Sequence, residues 1–190
     1  NAGDHKANII VVTHGSDTDA FWGVVRNAVE AAKEDTGANV QYRNPPTGDL
    51  NEMASLIEAA IAQNPDGIVV SIPDANILGG PIKAAVDAGV RTFMNSFNTL
   101  DEIPATGHKY IQRDVLKGDW DFDGFIVSDW GSIDQMIPHG FARDGEHAAE
   151  LAVIAGSDMD MESSLYVSKL VGLVESGKVS EGLLDDAVRR

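Results

Sequence analysis

The segment NIIVVTHG, residues 8–15, indicates the fold class, because four consecutive apolar residues run directly into a polar turn. The segment GIVVSIP, residues 67–73, has the same form. A strand that is apolar on both sides, rather than alternately apolar and polar, is typical of a parallel sheet that helices cover on both faces. We therefore predict an α/β fold built around these two strands.

Six β-rich segments recur along the chain, and their starts lie 24 to 33 residues apart, about the length of one strand and one helix. They begin at residues 8, 39, 67, 91, 124 and 157. We predict one doubly wound, flavodoxin-like parallel sheet of six strands with helices on both faces. A partial βα barrel is the alternative.

The helical patterns between these segments carry their own start and stop signals. The apolar positions of the first pattern share one face: Phe21, Val24, Val25, Ala28, Val29 and Ala32. We expect that face to pack on the sheet, and we expect Gly37 to end the helix. Asp49 and Ser180 are predicted to cap the second helix and the last helix.

The charge balance excludes several kinds of partner. The chain has 14 Lys and Arg against 30 Asp and Glu, and its net charge of −16 repels phosphate backbones, so no nucleic-acid partner is predicted. No apolar run approaches the roughly 20 residues that span a bilayer, so no membrane partner is expected. The first residues, NAGDHKAN, lack the form of a secretory signal peptide, and the localisation stays open.

The sequence carries no recognisable motif for a metal or a cofactor. The chain contains no cysteine, which excludes disulfides and thiolate metal ligands. Four histidines are isolated in the sequence: His14, His108, His139 and His147. There is no phosphate-binding glycine loop, no dinucleotide-binding motif and no paired-histidine zinc motif. We predict no metal and no cofactor.

Residues 1–90 resemble the N-terminal lobe of periplasmic sugar-binding proteins, the type I solute receptors of transport systems. The resemblance is carried by NIIVVTHGSDTDAFWGVVRNAVEAAKEDTG, DLNEMASLIEAAIAQNPDGIVVSIPDANIL and PIKAAVDAGV. It implies that the loop after the first strand contacts a sugar through Asp19 and Phe21, with Trp22 adjacent. The loop after the third strand would contribute Asp74. Aromatic faces stack on pyranose rings, and carboxylates accept hydrogen bonds from hydroxyls.

A purely structural interpretation of the same residues stays open. Phe21 also lies in the apolar stripe of its helix and would then be a core residue, and Asp17 or Asp19 would then be the helix cap. Receptors of this kind close two lobes around the sugar, and the chain resembles one lobe. The expected partner is therefore a small sugar, bound weakly by half a site.

Residues 81–190 resemble the C-terminal part of the βα barrel of family 3 glycoside hydrolases, the β-glucosidase and β-xylosidase group. The motifs are AAVDAGVRTFMNSFNTLDEIPATGHKYIQRDVLKGDWDFDGFIVSDWGSI, HGFARDGEHAAELAVIAGSDMDMES and LVESGKVSEGLLDDAVRR. The resemblance implies that Asp129, in VSDW, holds the position of the nucleophile that forms the glycosyl-enzyme intermediate. A carboxylate at the end of an apolar strand is presented from a rigid base.

We nevertheless expect Asp129 to be an inherited carboxylate without catalytic function. A retaining glycosidase needs a second carboxyl group about 5 Å from the nucleophile. In the family that acid comes from a following domain, and the residues that grip the sugar come from earlier barrel strands; neither set has a match here. Loss of a general acid alone typically slows a reaction about 10²- to 10⁴-fold, so no enzyme activity is predicted. Asp158 and Asp160 are not expected to form an acid pair.

The two resemblances overlap in PIKAAVDAGV, residues 81–90, and we place the seam between them within residues 81–95. We predict a single α/β domain over residues 1–190. The resemblances imply that its first three strands keep the receptor order 2-1-3 and that the glycosidase-like strands extend it as 4-5-6. The simplest hypothesis is an engineered or recombined chimera, a scaffold with no selected activity that is a monomer or a homodimer. Weak carbohydrate binding through the receptor-like part and residual family 3 hydrolase activity are the alternatives.

Overall fold

The computed structural model describes residues 6–190, so the first part of the stretch NAGDHKAN lies outside the described residues. The chain divides into two compact units, Asn1–Val90 and Arg91–Arg190. The boundary between them falls within the seam at residues 81–95. The single domain over residues 1–190 stays a prediction, and each unit is described by itself below.

The first unit alternates three strands with three helices. Its elements are β1 (Asn8–Val12), α1 (Ala20–Thr36), β2 (Asn39–Arg43), α2 (Leu50–Ile61), β3 (Gly67–Val70) and α3 (Ala75–Asp87). All strand pairs are parallel, and the order β2-β1-β3 confirms the predicted order 2-1-3. The core of this unit is formed by four strand residues and by apolar residues of α2 and α3: Ile10, Val11, Val12, Val40, Met53, Ile57, Ala60, Leu78, Ile82 and Ala85.

Burial on both faces holds for the central strand but not for its neighbour. Ile10, Val11 and Val12 are consecutive and all buried, as the continuous apolar run of β1 predicts. In β3, by contrast, Val69 is 56% exposed. The two strands differ because β1 lies between two hydrogen-bonded partners, whereas β3 is an edge of the three-stranded sheet.

The predicted inward face of α1 is partly wrong. Phe21 and Val24 are 67% and 68% exposed, so the interpretation of Phe21 as a core residue fails. The half-buried side of the helix is instead formed by Trp22, Val25, Arg26, Val29 and Lys33. The helix is rotated by about one position, or roughly 100°, because Trp22 rather than Phe21 occupies the inner position.

A glycine makes room for that rotation. A Cβ atom placed on Gly15 would overlap the Trp22 ring, so the indole lies directly on the backbone of the loop after β1.

The predicted ends of the helices are confirmed. Gly37 ends α1 with a left-handed backbone (φ 68°), and Asp49 caps α2 by accepting the Asn51 N–H at 2.7 Å.

The second unit has short strands followed by helices. Its elements are β4 (Thr92–Met94), β5 (Thr99–Leu100), β6 (Ile103–Pro104), a 3₁₀ turn (Ala105–Gly107), a π-helix (Tyr110–Asp119), β7 (Phe125–Val127), α4 (Ser132–Gln135), α5 (Gly145–Ala155), α6 (Leu165–Glu175) and α7 (Glu181–Arg189). Strands β4 and β7 are parallel, and β5 and β6 form an antiparallel hairpin. The core is built mainly from helix residues: Ile133, Met136, Ala148, Ala149, Ala152, Val153, Tyr166, Leu170 and Leu173.

The π-helix of this unit is held by its long basic side chains. Arg113 donates from Nη2 to the Val153 carbonyl at 3.0 Å and from Nε to the Ile154 carbonyl at 3.3 Å. Lys117 donates to the Gly156 carbonyl at 2.9 Å. These carbonyls belong to the C-terminal end of α5, where helix carbonyls lack partners within the helix and favour positive charge.

The mixed α/β class with parallel pairing is confirmed, but the six-stranded sheet is wrong. Among residues 6–190 the strands form separate sheets of three, two and two members. The predicted last strand, SDMDM at 157–161, contributes one isolated bridge, Val127 to Met159. The reason is local, since the Asp158 side chain accepts the Ile126 N–H at 2.9 Å, where a longer strand would present a backbone carbonyl. The partial barrel stays a prediction.

Candidate functional site

Two loops of the first unit meet at the carboxyl ends of β1 and β3. His14 follows β1 and Ser71 follows β3. The His14 backbone N–H donates to Ser71 Oγ at 3.0 Å, and His14 Nδ1 lies 2.9 Å from the same oxygen. The hydroxyl has one proton and two acceptor positions, so besides accepting the backbone N–H it donates to Nδ1 in one His14 tautomer and accepts from Nδ1–H in the other.

The indole of Trp22 packs against this pair. Its ring meets the His14 ring edge to face with centroids 4.8 Å apart, and it meets the Phe21 ring in the same manner at 5.2 Å. Burial lowers the pKa of His14, and the negative charge of Asp19 opposes that shift. The geometry therefore suits a neutral imidazole beside a half-buried aromatic ring.

Asp19 and Asp74 both cap helices. Asp19 Oδ1 accepts the Trp22 N–H at 3.1 Å at the start of α1. Asp74 Oδ1 accepts the N–H groups of Asn76 at 2.8 Å and Ile77 at 3.2 Å at the start of α3. An ionised carboxylate has about four acceptor positions, so capping does not exhaust either group. Contact of these residues with a sugar stays a prediction.

Asp17 belongs to a neighbouring polar cluster that the sequence did not reveal. Asn44 donates from Nδ2 to Asp17 Oδ1 at 2.9 Å, and Arg26 donates from Nη2 to Asn44 Oδ1 at 3.0 Å. Arg26 also lies over the Tyr42 ring, 5.2 Å from its centroid. Asp19 is therefore the cap of α1, while Asp17 links the loop after β1 to the loop after β2.

Asp129, in the second unit, lies two residues after the end of β7. Its Oδ1 accepts the Trp130 N–H at 2.7 Å, and its backbone carbonyl accepts the Ser132 N–H at 3.0 Å. The Trp130 side chain is 64% exposed. Gly131 has a left-handed backbone (φ 65°) and donates its N–H to the Met161 carbonyl at 2.9 Å. The carboxylate thus lies on a tight turn that leads from β7 into α4.

The segment around SDMDM fixes this turn from the side. Ser128 donates its N–H to the Met159 carbonyl at 2.9 Å, and Met161 donates its N–H to Ser128 Oγ at 2.8 Å. Asp158 is held by Lys117 in a pair whose side chains are 2% and 6% exposed. Asp160 instead caps α6 by accepting the Leu165 N–H at 2.8 Å. The two aspartates therefore have separate structural partners.

Glu162 is a carboxylate near this turn that sequence reasoning missed. Its Oε2 lies 3.3 Å from the position that a Cβ on Gly131 would take. Glu162 also has a left-handed backbone, with φ 79°. No spacing in the sequence relates it to Asp129, because it enters from the loop before α6.

A buried hydrogen-bond network ties together the elements around the same turn. Asn95, after β4, donates from Nδ2 to Ser157 Oγ at 2.8 Å. Thr106 Oγ1 lies 3.0 Å from Asn95 Oδ1 and 2.8 Å from Ser132 Oγ. Thr106, Ser132 and Ser157 are buried, and each lies in a different segment of the unit.

Within residues 6–190 no cluster of acidic and histidine side chains is arranged to hold a metal ion, and no helix is long and apolar enough to cross a bilayer.

Two family models match the chain. The model of the glycosyl hydrolase family 3 N terminal domain matches residues 75–190, which include Asp129 and the SDMDM segment. The model of the periplasmic binding protein domain matches residues 9–115, which include Asp19, Trp22 and Asp74. The chain belongs to both families. The two matches overlap across residues 75–115, which contain the predicted seam.

Individual relatives agree with the family 3 assignment. The chain is 45% identical over 109 residues to a periplasmic beta-glucosidase of Salmonella typhimurium. The aligned region covers 57% of this chain and 14% of the relative. It is 34% identical over 108 residues to a probable exo-1,4-beta-xylosidase of Aspergillus terreus, covering 55% of this chain and 14% of the relative. The crystal structure of beta-glucosidase from Listeria innocua in complex with glucose is similar with a TM-score of 0.55 and 46% identity, covering 57% of this chain and 15% of that one. The chain therefore spans about one seventh of the length of these relatives.

Proposed function

We propose that the chain is a recombined α/β scaffold that keeps the nucleophile position of a family 3 glycosidase and does not turn over glycosides. The observation that supports the proposal is the role of its site carboxylates. Asp129, Asp19 and Asp74 each accept a backbone N–H of the chain itself, at 2.7, 3.1 and 2.8 Å. All three therefore have a structural role that does not depend on a substrate.

Turnover also requires a second carboxyl group that protonates the leaving group, about 5 Å from the nucleophile in a retaining enzyme. Loss of that acid typically slows the reaction about 10²- to 10⁴-fold, and loss of substrate positioning adds to the effect. The chain spans 14% of the length of the Salmonella beta-glucosidase.

A chromogenic β-glucoside assay tests the proposal. Release of nitrophenol by the wild-type chain should equal release by Asp129→Asn, and both should equal release by Asp134→Asn, which removes an exposed carboxylate of α4. Mass spectrometry after exposure to a 2-deoxy-2-fluoro glucoside inactivator should return the unmodified mass. A covalent adduct on Asp129, or a rate that disappears in Asp129→Asn alone, would overturn the proposal in favour of residual hydrolase activity.

Weak carbohydrate binding by the first unit is the second candidate. It is favoured by the half-buried Trp22 ring, which packs on His14 after β1. Asp19 bonds the Trp22 N–H, Asp74 follows β3, and both helix-capping carboxylates keep acceptor capacity. Glucose, ribose and xylose would be titrated to about 10 mM while the environment of Trp22 is followed, with Trp22→Phe as the control. A dissociation constant of 10 mM corresponds to only about −2.7 kcal/mol, so the absence of any response would dispose of this candidate.

A further inference from the structure

A series of contacts connects the end of β3 to the indole ring of Trp22. Ser71 contacts His14 through two atoms, the backbone N–H at 3.0 Å and Nδ1 at 2.9 Å, which fixes both the loop and the plane of the imidazole. The imidazole then contacts the Trp22 ring, 4.8 Å away between centroids. The indole also lies against Gly15, where no side chain would fit. The orientation of Trp22 therefore depends on His14.

We propose that His14 is a positioning residue for Trp22, and that the first unit presents this indole to a sugar only while His14 is neutral. The proposal rests on the second candidate function, carbohydrate binding by the first unit. It adds the residue that holds the aromatic surface and the protonation state in which that surface is formed.

Protonation should disturb the arrangement for two reasons. Where Nδ1 is the acceptor of the Ser71 hydroxyl, a proton on Nδ1 removes that acceptor, and the hydroxyl must turn to another one. The imidazolium would also be half-buried against an aromatic ring, and its need for hydration draws it toward water. The groups that face the ring are the Ser71 hydroxyl from the end of β3, the Trp22 indole from α1 and the carboxylate of Asp19, whose charge favours the protonated form.

The test uses the full chain labelled with ¹⁵N, and the indole N–H signal of Trp22 is assigned by its loss in Trp22→Phe. Its position should change in a single protonation step below the ordinary histidine pKa, in parallel with the ring signals of His14. Sugar affinity, read from the same signal with glucose, ribose or xylose, should be about tenfold weaker one pH unit below that step, since about nine molecules in ten then hold the proton.

Three variants separate the contacts. His14→Phe keeps a ring beside Trp22 but cannot titrate, so the pH dependence of the indole signal should vanish. Ser71→Ala removes the hydroxyl and should move the indole signal at neutral pH. His139→Gln, an exposed histidine of the second unit, should leave the signal and its pH dependence unchanged.

The outcomes distinguish the two proposals. If no sugar changes the Trp22 signal at pH 7.5, carbohydrate binding fails, and positioning still stands or falls on the pH step in the sugar-free chain. If sugar affinity is the same one pH unit above and one pH unit below the His14 protonation step, or if the Trp22 signal does not change when His14 is protonated, positioning is overturned. The pH series on the wild-type chain needs no variant, so a negative result there cannot be attributed to misfolding of a variant.

Discussion

The buried ion pair of the second unit gives the sharpest test of what stabilises it. Lys117→Met should lower the free energy of unfolding by about 3–5 kcal/mol, because removing one partner of a buried pair leaves an uncompensated charge in the interior. Methionine keeps most of the aliphatic length of lysine, so the lost ammonium group dominates the effect.

The magnitude follows from the contacts of the pair. Lys117 Nζ donates to Asp158 Oδ1 at 2.6 Å, to Oδ2 at 2.7 Å and to the Gly156 carbonyl at 2.9 Å, which uses all three of its N–H groups. Without the hydrogen bonds from Lys117, the Asp158 carboxylate, whose side chain is 2% exposed, would keep its hydrogen bond from the Ile126 N–H of β7 but would lose its charged partner. Burial lowers the pKa of Lys117 while Asp158 opposes the shift, so desolvation is the larger of the two effects on the lysine.

A double-mutant cycle measures the interaction by urea denaturation. Asp158→Asn should be as destabilising as Lys117→Met, because it leaves the ammonium unpaired. The double variant should be less destabilised than the sum of the two, by roughly 1–3 kcal/mol. Exchange of the Ile126 amide proton provides a local readout at β7.

A surface pair is the matched control. Lys83 and Asp87 in α3 lie 2.9 Å apart with side chains 45% and 61% exposed, so Lys83→Met should change stability by less than about 1 kcal/mol. If Lys117→Met costs no more than Lys83→Met, the reasoning from burial is refuted.

Three further predictions concern the backbone and pH. Glu102 has φ 67° in the turn of the β5–β6 hairpin, so Glu102→Gly should raise the thermal midpoint and stabilise by about 1 kcal/mol; a lower midpoint would mean that the turn is not strained. A Cβ on Gly124 would overlap the Arg91 carbonyl, so Gly124→Ala should lower the free energy of unfolding by roughly 3 kcal/mol or more. Gly172 in α6 has open space around it, so Gly172→Ala should instead raise the free energy of unfolding by about 0.5–1 kcal/mol. Equal thermal midpoints for the two variants would contradict this. Since burial lowers the pKa of His14 in the folded chain, the unfolded chain takes up the proton first, and the stability of the first unit should fall as the pH drops below about 6.5. Urea titrations at pH 7.5 and pH 5 should show this loss, and His14→Phe should abolish it.

Features that depend on residues close in the chain were predictable. Asp19, Asp49 and Ser180 cap their helices through N–H groups two or three residues away, and Gly37 ends α1 as expected. The order of the first three strands was also predictable, because the resemblance to the sugar receptors implies 2-1-3.

The rotation of α1 was not predictable from its apolar pattern. Phe21 and Trp22 are adjacent apolar residues, and the period of a helix allows either to face inward. Trp22 takes the inner position because Gly15 and His14 form a space for an indole in the preceding loop. That space exists only once the loop has folded against the end of β3.

The sequence alone established the α/β class, both family memberships and the strand-end position of Asp129, since these depend on local patterns and motifs. The folded chain alone could show that His14 meets Ser71, 57 positions later, and that Lys117 meets Asp158, 41 positions later. The second contact stops SDMDM from becoming a sixth strand, because a carboxylate paired with a buried ammonium group takes the N–H of β7. Pairings of this kind depend on desolvation and on three-dimensional proximity, which no spacing along the chain encodes.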